Sequence, residues 1–165
     1  MIVLETERLL FRDHERSDLD AYCAMEADAE VRRYVGGQPR TREAAVERFR
    51  SRFLRPRESR LRLWATVYKP EQRYIGYCGI YRGDRPGEGV LGYYLAREYW
   101  GRGLATEAAR AFVDFGCKEL GLARIVAAVE EGNAASMRVL EKVGFARTHF
   151  EQGERRSFQH FALDC

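Results

Sequence analysis

The chain has 165 residues, 45% of them apolar and 32% charged, with a formal net charge of +3 at pH 7. That length fits one domain spanning 1–165 with a core of useful size. It contains no run of 18 apolar residues, so no membrane span is expected, and so small a charge does not by itself predict nucleic-acid binding. Glu5, Glu7, Arg8 and Arg12 interrupt the first apolar stretch, which rules out a signal-peptide core there and makes a cytoplasmic chain the expectation. Cys23, Cys78, Cys117 and Cys165 show no Cys-x-x-Cys spacing and no ligand pattern with the histidines. Reduced thiols are therefore expected, without zinc or a disulfide frame, and Cys117 reads as a core residue.

In chain order, residues 2–12 read as a strand. Helices follow at 17–27, capped by Ser17 or Asp18, and at 29–35. A third helix, 42–54, has Thr41 as its N-cap and Pro56 beyond its end. Arg48, Arg50, Arg52, Arg55, Arg57, Arg60 and Arg62 crowd this region, either as a solvated face or as a basic rim for an acidic partner or ribosomal RNA. Strands at 61–69 and 73–82 flank a Lys69-Pro70-Glu71-Gln72 turn, and Arg82–Gly87 is a loop. Residues 88–96 form a central strand, and 103–120 a helix with Leu104, Ala108, Phe112, Phe115 and Leu120 on its apolar face. Gly121 ends it. A buried strand at 124–130 leads to a helix at 134–143, capped by Asn133, stopped by Gly144 and buried through Met137, Leu140 and Val143. Strands near 145–150 and 156–164 complete an α/β chain with a mixed sheet.

The stretch Trp100-Gly101-Arg102-Gly103-Leu104-Ala105-Thr106-Glu107-Ala108 places a Gly-x-Gly turn between a strand and a helix start. The first amides of a helix lack intrahelical partners, and the helix dipole adds positive charge there. Glycines let the backbone approach a phosphate closely. Thr106 stands where a dinucleotide fingerprint needs its third glycine, and no Gly-Lys-Ser/Thr triplet exists for a P-loop. A plain turn remains the alternative for an isolated motif of this length.

This turn is joined by Gly132-Asn133-Ala134-Ala135-Ser136 with Glu141-Lys142-Val143-Gly144-Phe145. The opening Thr6-Glu7-Arg8-Leu9-Leu10-Phe11-Arg12 and Glu30-Val31-Arg32-Arg33-Tyr34-Val35-Gly36 add to the set. On these segments the chain resembles the GNAT superfamily of acetyl-CoA-dependent N-acetyltransferases, and within it the RimJ/RimL type that acetylates ribosomal-protein N-termini. It departs from the usual turn at Glu98, where the superfamily has Gln or Arg, so Glu98 is not expected to touch phosphate.

The resemblance implies a single-domain fold whose mixed, mostly antiparallel sheet is splayed at the acetyl-CoA site and flanked by helices. It implies that the amides of Gly101, Arg102, Gly103, Leu104 and Ala105, with Thr106, hold the pyrophosphate. It implies that the backbone of Tyr94, Leu95 and Ala96 pairs with the pantetheine arm, and that the Leu95 N–H serves as oxyanion donor. Asn133 is an N-cap that can also bond the arm, and Arg102, Arg138 and Lys142 are candidate phosphate cations or exposed charges. Many members carry a tyrosine acid seven residues after this asparagine; here Leu140 stands there, and the branch resemblance puts the general acid at Ser136, which is otherwise a first-turn serine bonding locally. Tyr93, Tyr77, His160 and Glu88 are weak candidates for the base, since an N-terminal amine with a pKa near about 8 can lose its proton through water. The resemblance implies acetyl-CoA as cosubstrate, with no metal, in a family where homodimers are common. The acceptor is a protein N-terminus or a small amine such as an antibiotic, polyamine or amino acid; an acidic, aromatic pocket would favour a polyamine. A non-catalytic acyl-CoA-binding module is the remaining alternative.

Overall fold

The computed structural model describes residues 1–55 and 59–165; the expected stop at Pro56 and the Arg57 of the arginine cluster lie outside them. Among the described residues, eight strands form one sheet in the order β1-β2-β3-β4-β5-β6-β8-β7. They are β1 (Ile2–Glu5), β2 (Leu9–Arg12), β3 (Leu63–Tyr68), β4 (Arg73–Arg82), β5 (Glu88–Leu95), β6 (Arg124–Glu130), β7 (Ala146–Glu151) and β8 (Phe158–Asp164). The helices are α1 (Leu19–Ala27), α2 (Ala29–Arg32), α3 (Arg42–Arg52), α4 (Leu104–Lys118) and α5 (Ala134–Val143).

All neighbours are antiparallel except β5 and β6, which run parallel and pair only over Glu88–Val90 against Arg124–Val126. Beyond Val90, β5 stays with β4 as far as Leu95, while β6 stays with β8 as far as Glu130. The two halves of the sheet therefore part in a V. Beyond Val90 the edge of β5 that faces β6 is free.

Two cores lie on opposite faces. α4 brings Leu104, Ala108, Phe112 and Phe115 onto Phe11, Ile75, Ile80 and Ile125. α1 and α3 bring Tyr22, Met25, Ala45 and Phe49 onto Ala65, Tyr74, Tyr77 and Tyr94. Caps agree with the sequence at Thr41, whose Oγ1 accepts from the Ala44 N–H at 3.2 Å, and at Asn133, whose Oδ1 accepts from the Ser136 N–H at 3.3 Å.

Three expectations are corrected. The opening strand is a hairpin: the Thr6 hydroxyl accepts the Leu9 N–H at 3.0 Å and the Thr6 N–H reaches the Leu9 carbonyl at 2.9 Å, folding the chain at Glu7 and Arg8. Neither Ser17 nor Asp18 caps α1, because Asp18 is buried and turned back to the Arg12 guanidinium, two contacts of 2.8 Å, and to the Glu15 N–H at 2.8 Å. The third concerns the thiols. Cys117, in the last turn of α4, is bonded to Cys165, with the two Cα atoms 5.3 Å apart. The fold carries β8 alongside the end of α4, and the Cys165 N–H donates to the Ala123 carbonyl at 3.0 Å. A separation of 48 residues leaves no local signature. Cys23 and Cys78 are free and buried.

Closing a loop of that size is worth at most about 4 kcal/mol in the chain-entropy account. Cys165→Ser is therefore expected to lower the melting temperature by about 10 °C for a domain of this size. Dithiothreitol should lower wild type by the same amount and leave the variant unchanged. Identical melts with and without reductant would show that the bond contributes nothing.

Candidate active site

The mouth of the V is formed by the end of β5, the turn that follows it, and the start of α5. After a 3₁₀ turn at Arg97–Tyr99, Gly101 and Gly103 adopt φ of +73° and +76°, a left-handed backbone that a side chain resists. Gly103 is the N-cap of α4 and offers no side-chain acceptor. The first amide of the helix region to find a protein acceptor is Glu107, which donates to the Gly103 carbonyl at 3.0 Å. The N–H groups of Gly101, Arg102, Gly103, Leu104, Ala105 and Thr106 have no acceptor among the described residues. Six free donors at a helix N-terminus suit a diphosphate.

Sequence reasoning missed what holds this loop in place. The Glu107 carboxylate accepts from the Thr6 hydroxyl (2.6 Å), the Arg8 N–H (2.9 Å) and the Arg8 Nε–H (2.7 Å). Arg8 Nη1–H then donates to the Arg102 carbonyl at 2.9 Å. Burial alone would raise the Glu107 pKa; the hydrogen bonds from Thr6 and Arg8, together with the Arg8 charge, outweigh it and hold the carboxyl below its usual range. The opening Thr6-Glu7-Arg8 is thus a brace for the Gly-x-Gly turn, and Arg8 brings a guanidinium to the loop's rim.

Along β5 the two edges alternate. Ala96 N–H donates to the Ile75 carbonyl at 2.8 Å, and Tyr94 lies opposite Tyr77. In an antiparallel ladder, alternate residues face the same partner. The backbone of Tyr94 and Ala96 therefore faces β4, which corrects the expectation that both pair with a pantetheine arm. Leu95 faces the free edge, and so does Tyr93, whose backbone the sequence reading did not select. The Leu95 carbonyl accepts the Trp100 indole N–H at 2.8 Å, so Trp100 braces the turn while almost half of it stays exposed.

The start of α5 faces this edge. The Tyr93 phenol lies 2.7 Å from Ser136 Oγ and 3.1 Å from the Ser136 carbonyl oxygen. A carbonyl only accepts, so in the arrangement using both contacts the phenol proton goes to the carbonyl and the serine proton to the phenol oxygen. Burial pushes the Tyr93 phenol well above its ordinary value, even with the bond to Ser136 opposing it. Tyr93 is thus a neutral partner for Ser136.

The other candidate bases are placed as follows. Tyr77 is buried and its phenol is likewise pushed up by burial. His160 Nε2 is 2.7 Å from Glu151 Oε2, with its ring stacked on His149 at 4.2 Å. Glu88 sits at the closed end of the V, opposite Arg124.

Of the candidate cations, Arg102 lies over the Tyr99 ring at 5.1 Å, and Arg138 and Lys142 are exposed on α5. Arg110 Nη2–H donates to the Lys142 carbonyl at 3.3 Å, which joins the end of α5 to the second turn of α4. Glu98 pairs with Arg73 at 3.5 Å, away from any phosphate role. Among the described residues no cluster of three or more His, Cys, Asp or Glu is placed to hold a metal ion. No described helix is long and apolar enough to cross a membrane.

A V-shaped sheet with a free strand edge, ended by a glycine turn on a helix N-terminus, defines the acyl-CoA N-acyltransferase architecture. The acetyltransferase (GNAT) domain profile matches residues 8–146, and the chain belongs to that family. An uncharacterized N-acetyltransferase, p20, of Bacillus licheniformis is 33% identical over 150 residues, 89% of this chain and 84% of the relative. A GNAT-family acetyltransferase from Bacillus anthracis superposes with a TM-score of 0.88 at 24% identity, covering 99% of this chain and 98% of its own. RimL, the ribosomal L7/L12 alpha-N-protein acetyltransferase solved in complex with coenzyme A, superposes with a TM-score of 0.84 at 14% identity over 99% and 98% of the chains.

Proposed function

We propose that the chain transfers the acetyl group of acetyl-CoA to a primary amine by direct attack within a ternary complex. The observation that carries this reading is the free edge of β5 between six unpartnered loop amides and the Tyr93–Ser136 pair. The amides of Gly101 to Thr106, with Arg8 or Arg102 beside them, hold the diphosphate. The free-edge backbone of Tyr93 and Leu95, together with Asn133, orients the arm. Acetyl-CoA bound there supplies the thioester carbonyl.

The Leu95 N–H meets the negative charge that develops on the carbonyl oxygen. As the amine nitrogen bonds to the carbonyl carbon, its proton leaves through water to solvent, since no described side chain is a free base on this edge. As the carbon–sulfur bond breaks, Ser136 Oγ–H gives its proton to the sulfur, the neutral Tyr93 phenol turns its hydrogen bond from the Ser136 carbonyl to Oγ, and Ser136 takes back a proton from solvent water, which has received one from the amine. Arg138 and Lys142 extend the cationic surface toward the ligand's outer phosphate.

For the acceptor, a protein N-terminal amine of the RimJ/RimL kind is one reading. The 14% identity to RimL carries the fold alone. The test is chromatographic measurement of CoA release from acetyl-CoA across peptides, polyamines, aminoglycosides and amino acids. Turnover of at least one amine is expected. Tight acetyl-CoA binding with no turnover of any amine would instead establish a non-catalytic binding module.

A further inference from the structure

Between the exit of β2, the end of α3 and strands β3 and β4 there is a cavity of about 240 Å³, separate from the glycine turn. Its wall includes His14, Arg52, Phe53, Arg62, Trp64 and Tyr81. Two buried nitrogens of lining residues have no partner among the described residues, His14 Nε2 and Arg62 Nε; Trp64 itself belongs to the α4 core, with the Arg62 guanidinium over its ring at 3.8 Å. The arginine nitrogen can only donate. Burial of such donors is costly unless an acceptor reaches them. His14 is held neutral, its pKa pushed down to about 3 by burial against the opposing pull of Asp18, so it adds no charge and donates or accepts by tautomer.

The charge balance points the same way. Asp13, the acid in the wall, has one oxygen on Arg62 and the other on the N-terminal ammonium at 2.9 Å. That leaves Arg52 uncompensated among the described lining residues. The walls are aromatic: His14 stacks on Phe53 at 4.1 Å with 21° between the planes, and Tyr81 closes another side. A flat, acceptor-rich anion matches this surface, and a polycation does not.

Two side chains of the cavity wall lie over β5, the strand that carries the candidate active site. A Cβ on Gly92 would stand 3.4 Å from the Tyr81 ring and 3.3 Å from Leu63, both of which line the cavity. Gly92 immediately precedes Tyr93 on the free-edge stretch of β5.

We propose that this cavity is the acceptor subsite and that it selects a small primary amine carrying a carboxylate on a planar ring. The proposal rests on the acetyltransferase reading above. The ring lies between His14–Phe53 and Tyr81, and the carboxylate accepts from Arg52 and the orphaned Arg62 Nε–H. Arg52 is therefore a specificity residue.

The test uses three probe amines with the full-length protein and acetyl-CoA: 4-(aminomethyl)benzoate, benzylamine and spermidine, beside a neutral Ser-ended peptide. The benzoate is expected to show at least tenfold higher kcat/KM than any other. Arg52→Ala should raise its KM at least tenfold while leaving benzylamine within twofold. Arg52 is exposed, so folding should survive, and Arg52→Lys should recover part of the loss. Calorimetry of the benzoate with the CoA-loaded protein gives a readout independent of turnover. Faster turnover of spermidine or of the peptide would overturn the proposal and leave the acetyltransferase reading standing. Binding of the benzoate without its acetylation would overturn the acceptor role and leave an anion site apart from catalysis. Absence of binding would overturn the site itself. Failure of the underlying reading looks different: no amine of any class is turned over, although acetyl-CoA binds.

Discussion

Replacing Glu107 with alanine is expected to lower stability at pH 7 by about 3 kcal/mol, the scale for removing a charged acceptor from several partly buried donors. Three donors lose their acceptor at once, from the Thr6 hydroxyl, the Arg8 amide and the Arg8 guanidinium. The loss spreads to the ligand site, because the same guanidinium holds the Arg102 carbonyl. Acetyl-CoA affinity should fall about tenfold, or about 1.4 kcal/mol.

The pH dependence has a definite sign. The folded pKa of Glu107 lies below its ordinary value of 4.5. Its contribution is therefore complete above pH 4.5 and is lost as pH falls through the folded pKa. Urea denaturation of wild type and Glu107→Ala should differ at pH 7 and converge as pH drops below that value. A constant gap across the range would show that the carboxylate's charge is not the source of the stability.

Glu107 also shows where the sequence was legible and where it was not. The Gly-x-Gly turn, the α4 and α5 faces and the Asn133 and Thr41 caps are local patterns, written in residues within a turn or two of one another. The structure returns them with small shifts at the ends; α4 begins at Leu104 and ends at Lys118, inside the expected 103–120. The Thr6–Glu107 contact joins residues 101 apart, and the Cys117–Cys165 bond residues 48 apart. Neither leaves a periodicity or spacing to read. Thr6-Glu7-Arg8 was visible as a motif but not as a brace, because its partner lies on another element.

The backbone roles were half legible. The segment Tyr94-Leu95-Ala96 is the right stretch of β5, but which of its amides face outward depends on the β4–β5 register, and Ala96 is committed to Ile75. The arginine cluster was misleading as a block. Arg60 pairs with Glu119 at 3.1 Å, Arg62 stacks on Trp64 at 3.8 Å, and Arg52 faces the cavity, so neighbours in sequence serve separate ends. Nothing in the sequence marks that cavity, which is assembled from β2's exit, the end of α3, β3 and β4.

Ser136→Ala is expected to lower kcat at least tenfold while changing acetyl-CoA affinity less than twofold. Departure of a thiolate is helped by a positioned acid, an effect worth about a hundredfold or more when fully used. Ser136 Oγ is already oriented by Tyr93 at 2.7 Å, while the Asn133 cap holds the serine's own N–H. Alanine removes the hydroxyl and leaves that cap contact in place, so helix stability should barely change. Tyr93→Phe separates positioning from proton donation. It keeps the packing but removes the contacts to Ser136 Oγ and the Ser136 carbonyl, so a smaller loss in kcat is expected, about threefold to tenfold. In the double variant the two losses should not multiply, because the phenol acts only through the serine. Burst-free single-turnover kinetics would assign the loss to chemistry rather than to product release. If Ser136→Ala turned over at the wild-type rate, the thiolate would be taking its proton from water, and the Tyr93–Ser136 pair would be a structural clasp between β5 and α5.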